Sequence, residues 1–238
     1  MSFNVFKYQH PETALRYLPV VREIKRLKLT KSKILEVGSG SLGITPYLKE
    51  KIDGLDVDFS GPQSPLVNQI KGDAANLPFR KNSYDVVISV DVLEHLNPDV
   101  RSASVREMLK VAKKLLVIVV PTGEASEKQD RQLYVLWQKV KRGNNQFLAE
   151  HAKFGLPSND QILVSLDKSL RLLGKKAKTR SYPILNLTIR KFLMRTWITK
   201  SKLIYYLYLK GFMLLVPALI YANFGNCYRT VFVIELAS

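Results

Sequence analysis

Cysteine is nearly absent from the 238-residue chain, in which Cys227 is the single example. Histidine is also scarce, with three residues. A single thiol cannot close an internal disulfide, and no CxxC motif or Cys/His cluster is present, so we predict neither a disulfide framework nor a metal site. The N-terminus carries charges and a proline where a secretory signal needs an apolar core, which predicts a cytoplasmic protein. Hydrophobic residues at 46% and charged residues at 24% exclude a disordered or fibrous chain.

Acidic residues are also scarce, with 20 Asp and Glu against 37 Lys and Arg, and the net charge is +17. The deficit is concentrated in the second half of the chain, because no acidic residue lies between Asp167 and Glu235. A segment this basic indicates a polyanionic partner, either an anionic membrane surface or nucleic acid. The alternative is a basic surface that is simply solvated.

Short apolar segments alternate with amphipathic ones along the chain. The predicted strands cover residues 33–37, 52–56, 67–71, 84–90, 115–120 and 228–236. Helices are predicted over 12–29, where Pro19 is expected to break the run, over 44–51, over 101–114, and from a capping box at Ser158 to Gly174. Strands that alternate with helices at this spacing predict a parallel, doubly wound α/β sheet.

A glycine-rich loop follows the first predicted strand. Residues 38–43, Gly-Ser-Gly-Ser-Leu-Gly, let the backbone approach a ligand closely, and the next helix offers free N–H groups. A dinucleotide would place its pyrophosphate here, with Asp56 or Asp58 on the ribose. Glu36 argues against that interpretation, because its carboxylate would repel a pyrophosphate and attract a sulfonium or ammonium group.

Four blocks in order resemble the class I S-adenosylmethionine-dependent methyltransferases of the small-molecule, type 11-like kind. They are Ile34-Leu-Glu-Val-Gly-Ser-Gly40, Gly54-Leu-Asp56, Gly72–Phe79 with Ser83–Val87, and Asp91-Val-Leu-Glu-His95. The resemblance implies a Rossmann-like, mostly parallel seven-stranded sheet whose last strand is antiparallel. It also implies a methyltransferase activity with S-adenosylmethionine as the cofactor.

The resemblance assigns the first cofactor contacts to the glycine loop. Gly38, Ser39 and Gly40 would face the methionine part of the cofactor, and Glu36 would shape the pocket directly or through water. Members of the family often have a third glycine at the position of Leu42. In this chain the third glycine comes one residue later, at Gly43. That departure puts the shape of the loop in doubt.

The resemblance assigns the nucleoside to two later strand ends. Asp56 would accept hydrogen bonds from the ribose hydroxyls, with Asp58 as the alternative because both follow the second strand. Asp73 would bind the adenine amino group beside the N–H of Ala74. Asp91, at the end of the fourth strand, is placed in the same cofactor-binding set.

Two histidines are the candidate catalytic residues. His95 follows the fourth strand, and its ordinary pKa of about 6.5 suits removal of a proton from an oxygen nucleophile near neutral pH. His151 lies among the predicted substrate-side helices, and a structural role for either histidine is the alternative. The NPPY-type motif of enzymes that methylate base or side-chain amino groups is absent, which argues against an amino group of a nucleic acid as the acceptor but not against a ribose.

Residues 186–225 form a basic, aromatic insertion that is predicted to be helical. Within it, residues 203–222 carry one charge and could just span a bilayer, but a last strand returning to the sheet argues against a crossing, and Lys210-Gly211 and Pro217 are expected to interrupt the run. We therefore favour a helical pair lying in the membrane interface. The cations expected to face anionic headgroups are Arg190, Lys191, Arg195, Lys200 and Lys202. Packing on the sheet, a homodimer contact and an RNA contact remain alternatives.

One domain is predicted over residues 1–238. Its parts are N-terminal helices (1–32), a cofactor-binding core (33–123), substrate-side helices (124–175), the insertion (186–225) and the last strand (228–236). The predicted function is methyl transfer to a small, lipid-linked or glycan-type acceptor, with peripheral attachment to the cytoplasmic face of a membrane. An RNA-associated enzyme or RNA-binding relative, and a non-catalytic protein that keeps the fold, are the alternatives.

Overall fold

One sheet of seven strands organises the part of the chain that the computed structural model describes, residues 9–141 and 143–237. The strands are β1 (Ile34–Val37), β2 (Ile52–Asp56), β3 (Val67–Lys71), β4 (Tyr84–Val90), β5 (Ala112–Pro121), β6 (Ala177–Asn186) and β7 (Cys227–Leu236). Their order is β3-β2-β1-β4-β5-β7-β6, and β7 runs antiparallel to both of its neighbours. The predicted doubly wound sheet with an antiparallel last strand is confirmed.

Eight α-helices connect or cover these strands within the described ranges. They are α1 (Pro11–Arg26), α2 (Thr45–Leu48), α3 (Pro98–Val111), α4 (Glu124–Lys141), α5 (Gln146–Phe154), α6 (Asn159–Leu173), α7 (Leu187–Trp197) and α8 (Lys202–Leu219). A short 3₁₀ turn, Leu93–His95, follows β4. The predicted capping box is present, because the Ser158 side chain accepts from the Gln161 N–H and Gln161 reciprocates, and Gly174 ends α6 in the left-handed conformation.

The two faces of the sheet are covered by different helices. Along β5, Val117 and Val119 join an apolar cluster with α1, whereas Leu116 and Ile118 join a second cluster with α3 and α6. Because both faces are buried, β4 and β5 are almost continuously apolar, as parallel strands of this kind are. The carboxyl ends of β1, β2 and β4 are therefore the part of these strands that can face a ligand.

Three predicted elements differ from the structure. α1 continues through Pro19, whose ring is buried, so packing outweighs the lost hydrogen bond. α8 likewise continues through Gly211 and contains Pro217 near its end. The helix predicted over 44–51 is shorter, because Lys49 takes a left-handed conformation and ends α2.

Strand β6 is the one strand of this sheet that the sequence pattern does not predict. It lies at the edge of the sheet and alternates exposed with partly buried positions over most of its length. Lys178, Arg180 and Pro183 occupy this stretch, and charged residues and proline are typical of edge strands, which they protect from further pairing. The apolar run that identifies a buried strand is consequently missing.

Candidate active site

The glycine loop after β1 lies against the end of β2. The N–H of Gly38 donates to the carbonyl oxygen of Leu55 at 2.7 Å, which ties the two strand ends together. Gly38 has a φ of +77°, and a Cβ there would lie 2.1 Å from a methyl carbon of Val92. Gly40 has a φ of +53°, but a Cβ there would meet no atom within 4 Å. The loop is thus packed against the β4 end at its first glycine and open to a ligand at its second.

The Glu36 side chain joins the glycine loop to α1 through hydrogen bonds. Its side chain is fully buried, and it accepts a hydrogen bond from the Tyr17 hydroxyl at 2.7 Å and another from the Ile44 N–H at 2.7 Å. Burial raises the pKa of Glu36 to about 7, although both hydrogen bonds act in the opposite direction. The structure gives Glu36 contacts that join α1 to the loop. Its predicted contact with a cofactor remains a prediction.

The two acidic residues after β2 have different surroundings. Asp56 accepts from the Gly40 N–H at 2.6 Å and from the Val57 N–H at 2.7 Å, so its carboxylate lies directly beside the glycine loop. Asp58 is exposed and bonds to the hydroxyl and the N–H of Ser60, and these hydrogen bonds lower its pKa. This geometry favours Asp56 over Asp58 as the carboxylate that faces a ligand in the loop.

The loop after β3 brings a further carboxylate to the same edge. The Gly72 N–H donates to the Asp56 carbonyl oxygen at 3.1 Å, so the ends of β2 and β3 are adjacent. Asp73 follows and is exposed, with one carboxylate oxygen accepting from the Ala75 N–H at 2.8 Å. Ala74, beside it, is buried. An exposed Asp73 keeps the remaining lone pairs of its carboxylate available to a ligand.

Asp91, which follows β4, is held in a buried ionic network. Its φ is +54°, and its carboxylate accepts from Arg229 on β7 and Arg16 on α1, each at 2.7 Å. Arg229 also pairs with Glu12. Burial alone would raise the pKa of Asp91, but the charges of Arg229 and Arg16 outweigh burial and hold it well below its ordinary value. The predicted contact of Asp91 with a cofactor is untested, and the partners seen here are arginines.

The structure brings the two candidate histidines together. His95 lies in the 3₁₀ turn and His151 on α5, and their ring centroids are 4.8 Å apart. His95 pairs through Nδ1 with Glu150 at 2.8 Å, and His151 pairs through Nδ1 with Asp130 at 2.8 Å. Burial, followed by the charge of His151, lowers the pKa of His95.

A family comparison covers the part of the chain that contains this edge. Residues 35–119 match the family model described as a methyltransferase domain, a span that runs from the first strand to the last residues of β5. The match includes the glycine loop, the acidic strand ends and the turn that carries His95. Residues 35–119 therefore resemble a methyltransferase domain. No curated protein matches the chain significantly in sequence.

Solved structures extend the likeness to nearly the whole chain. The methyltransferase domain of bacterial CtHen1-C is 14% identical with a TM-score of 0.56, over 95% of this chain and 99% of that one. Magnesium protoporphyrin IX methyltransferase (ChlM) from Synechocystis PCC 6803, solved with bound SAH, is 15% identical with a TM-score of 0.52, over 95% of this chain and 84% of that one. At these identities the likeness shows a shared fold.

The residues at this edge fit S-adenosylmethionine, the cofactor that the resemblance to the methyltransferase domain implies. The open backbone at Gly40 can admit the methionine part, and Asp56 lies beside it for the ribose hydroxyls. Asp73 is exposed for the adenine amino group, and Val57, 67% exposed, offers apolar surface to a flat ring. When bound, the cofactor supplies an electrophilic methyl group on a sulfonium.

One predicted surface cation is buried. Arg190 lies on the inner side of α7, where it pairs with Asp130 at 2.8 Å and its guanidinium carbon lies 3.2 Å from the centroid of the Tyr228 ring. The prediction that Arg190 faces anionic headgroups is therefore wrong. Its helix turns this position toward β7, and the buried carboxylate of Asp130 requires a counter-charge.

Sequence reasoning also missed the partners of the two histidines. Glu94, Asp130 and Glu150 were not chosen, although Glu94 and Glu150 each immediately precede a chosen histidine. Asp130 lies on α4, and only the packing of α4 against α5 and β7 brings it to His151. The adjacent Glu-His pairs at 94–95 and 150–151 were the available signal.

Proposed function

We propose that this methyltransferase transfers a methyl group to a hydroxyl oxygen of a lipid-linked or glycan-type acceptor at an anionic membrane surface. The observation that carries the proposal is the exposed apolar face of α8. Leu203, Leu207 and Leu214 are 67%, 54% and 70% exposed, and their spacing places them on one side of the helix. Apolar surface of this extent on a soluble fold marks an interaction site.

Exposed cations accompany this apolar face on α7, α8 and the segment between them. They are Lys191, Arg195, Lys200 and Lys202. Each cation near an anionic bilayer surface contributes about 1 kcal/mol to binding, while the leucine and tyrosine side chains insert below the headgroups. Dense apolar clusters beside cations suit a lipid interface better than RNA, where single aromatic rings stack on bases.

α8 meets the length and composition criteria for a membrane-spanning helix, with a mean hydropathy of 1.3 over 18 residues. A crossing conflicts with its surroundings. Tyr208, Met213 and Val216 on its other side are buried in a cluster with Leu15 of α1 and Leu193 of α7. The chain then returns as β7 between β5 and β6. These contacts support a helix that lies along the interface with one face in the protein and one in lipid.

α1 connects this surface to the active-site edge. One side of α1 packs on α8 through Leu15, while Arg16 on the same helix reaches Asp91 at the end of β4. An acceptor whose lipid part stays in the bilayer could thus present its polar part to the cofactor edge. Transfer to a hydroxyl oxygen requires loss of its proton, which the cluster around His95 and His151 must promote.

Flotation with vesicles tests the membrane part of the proposal. The chain should float with phosphatidylcholine–phosphatidylglycerol vesicles and weakly or not at all with pure phosphatidylcholine. Leu207→Glu combined with Leu214→Glu should abolish flotation, because charged side chains resist insertion. Val164→Glu, at an α6 position that is 66% exposed, is the matched control and should float normally. RNA binding that falls steeply with salt, without vesicle binding, would replace this proposal.

Labelled methyl transfer tests the chemistry. With tritiated S-adenosylmethionine and a membrane extract, the label should enter an organic-soluble product and survive mild alkali, as a methyl ether does. An Asp56→Ala variant should lose cofactor binding and incorporation together, whereas Val164→Glu should retain both. Labelled product that partitions wholly into the aqueous phase would remove the lipid-linked acceptor, and absence of incorporation from any extract would favour a non-catalytic role.

A further inference from the structure

Both histidines at the edge are oriented by a carboxylate through the same ring nitrogen. His95 Nδ1 pairs with Glu150 and His151 Nδ1 with Asp130, each at 2.8 Å. A neutral imidazole that donates from Nδ1 keeps the lone pair of Nε2 for another partner. This carboxylate–histidine arrangement is the one that protein sites use to fix and strengthen imidazole ligands of metal ions.

Three side chains point unused acceptors at one another. Within the described part of the chain, Nε2 of His151 is buried without a hydrogen-bond partner, and so are both carboxylate oxygens of Glu94, whose side chain is 1% exposed. One ligand atom from each of Glu94, His95 and His151 lies within 4.8 Å of the other two. Buried acceptors without donors are costly and uncommon in folded proteins, so this cluster calls for a hydrogen-bond donor or a cation.

The spacing suits an ion better than a shared proton. His95 Nε2 and the nearer Glu94 oxygen are 3.9 Å apart, too far for a hydrogen bond. One ion can hold two such ligands at once, because nitrogen and carboxylate ligands bind zinc-like ions at about 2.0–2.2 Å. A proton on Glu94 could satisfy at most one of the two imidazoles.

We propose that Glu94, His95 and His151 bind one divalent transition-metal ion. Two imidazoles and one carboxylate favour manganese, iron, cobalt or zinc over magnesium or calcium, which prefer all-oxygen sites. Three protein ligands leave coordination positions open, as in catalytic metal sites. This assignment departs from the sequence prediction, which expected no metal.

The position of the cluster gives the ion a role in the reaction, and this role rests on the proposed function. Glu94 and His95 follow Val92, whose side chain packs against Gly38 of the glycine loop. An ion here lies beside the cofactor edge, where it can bind an acceptor hydroxyl and lower the pKa of that hydroxyl. His95 then acts as a ligand, and the ion takes over the task of activating the oxygen.

Direct ion binding tests the assignment without any transfer assay. Untagged full-length chain is freed of ions with a chelator and titrated with Mn²⁺ by electron paramagnetic resonance and with Co²⁺ by visible absorption. We expect one ion per chain and a Co²⁺ spectrum typical of nitrogen and oxygen ligands. His151→Ala and Glu94→Gln should each remove this binding, while circular dichroism checks that they fold.

Two further variants keep the test decisive. Glu150→Gln leaves all three ligands in place and should weaken binding about 10–100-fold, the usual effect of a group that orients a ligand. His10→Ala removes the third histidine, which contacts Tyr208 and Trp197 away from the cluster, and should bind as the parent does. Failure of the parent to bind either ion, or binding that survives both His151→Ala and Glu94→Gln, overturns the proposal.

The outcomes separate the metal site from the proposed function. Binding of one ion by a chain that methylates no hydroxyl acceptor leaves the site established and refutes the proposed function. Equal transfer rates for ion-free and ion-loaded chain refute the role of the ion in activating oxygen. A rate that rises with ion occupancy and falls in Glu150→Gln supports the site and its role together.

Discussion

Glu36 gives a sharp test of the buried contacts beneath the glycine loop. The carboxyl group is fully buried, and its pKa rises from 4.5 to about 7 on folding. Between these two values the unfolded chain has released the proton and the folded chain still holds it. The folded state therefore binds more protons in this window, and stability falls as pH rises from about 4.5 to 7, with no further change above it.

The size of the effect follows from the pKa difference. One pKa unit corresponds to about 1.4 kcal/mol, so this residue lowers the free energy of unfolding by roughly 3 kcal/mol across the window. Glu36→Gln removes the titration. A glutamine can accept from the Ile44 N–H with its carbonyl and donate to the Tyr17 oxygen with its amide, which preserves both contacts.

Urea unfolding at half-unit steps from about pH 4.5 to 8 measures the difference between the two proteins. The glutamine variant should gain roughly 3 kcal/mol relative to the parent as pH rises through the window, because the slopes due to all other groups are shared. Tyr17→Phe in the parent removes a bond that lowers the pKa and should shift the slope to higher pH. Parallel profiles within about 0.5 kcal/mol would refute the placement of Glu36.

Two other substitutions test the same edge. Gly38→Ala should lower the free energy of unfolding in urea by about 2–4 kcal/mol, because the new methyl group would lie 2.1 Å from Val92 and the backbone there is left-handed. The same variant should abolish cofactor binding in calorimetry. The control, Gly211→Ala, lies in open space on α8 and should instead stabilise the protein by about 0.5–1 kcal/mol. Asp91→Ala should cost about 3–5 kcal/mol, since it removes the buried carboxylate that pairs with buried Arg229 and with partly exposed Arg16. The control Lys31→Ala breaks an exposed ion pair and should lower the free energy of unfolding by less than about 1 kcal/mol. Equal losses of stability in Asp91→Ala and Lys31→Ala would contradict the buried network around Asp91.

The sequence predicted the sheet well where strands are buried on both faces. The apolar run at 84–90 and the one at 115–120 lie within β4 and β5, and the glycine loop lies where its spacing placed it. Local patterns suffice here because burial on both faces forces an uninterrupted apolar segment. β6 was missed for the converse reason, since an edge strand with Lys178, Arg180 and Pro183 carries no such signal.

Proline and arginine show where local rules fail. Pro19 and Pro217 both lie inside continuous helices, because packing of the flanking residues holds a helix that the missing N–H alone would weaken. Arg190 was read as a surface cation because lysines and arginines surround it in sequence, yet it is 3% exposed against Asp130. The partner that buries it lies sixty residues earlier in the chain.

The candidate site was predicted in parts that the sequence could not assemble. His95 and His151 were chosen separately, each as a possible base, and nothing in their spacing shows that α5 folds back onto the turn after β4. Glu94 is not predicted from the sequence, because only the folded chain places it beside two imidazoles and, among the described residues, away from any hydrogen-bond donor. A metal prediction from sequence needs closely spaced ligands, and this cluster spans a separation too long for any short motif.

Asp91 and Glu94 show how folding assigns different chemistry to two carboxylates in one turn of the chain. Both are buried, but Asp91 meets Arg16 from α1 and Arg229 from β7 and is held ionised by their charges. Glu94 meets no cation among the described residues; burial raises its pKa, and the charge of Asp91 raises it further. Arg16 pairs with Asp91, and Arg229 pairs with Asp91 and Glu12, so neither arginine forms an ion pair with Glu94. A cation bound from outside the chain would supply a counter-charge to Glu94, and the proposed metal ion has this role beside the two oriented imidazoles.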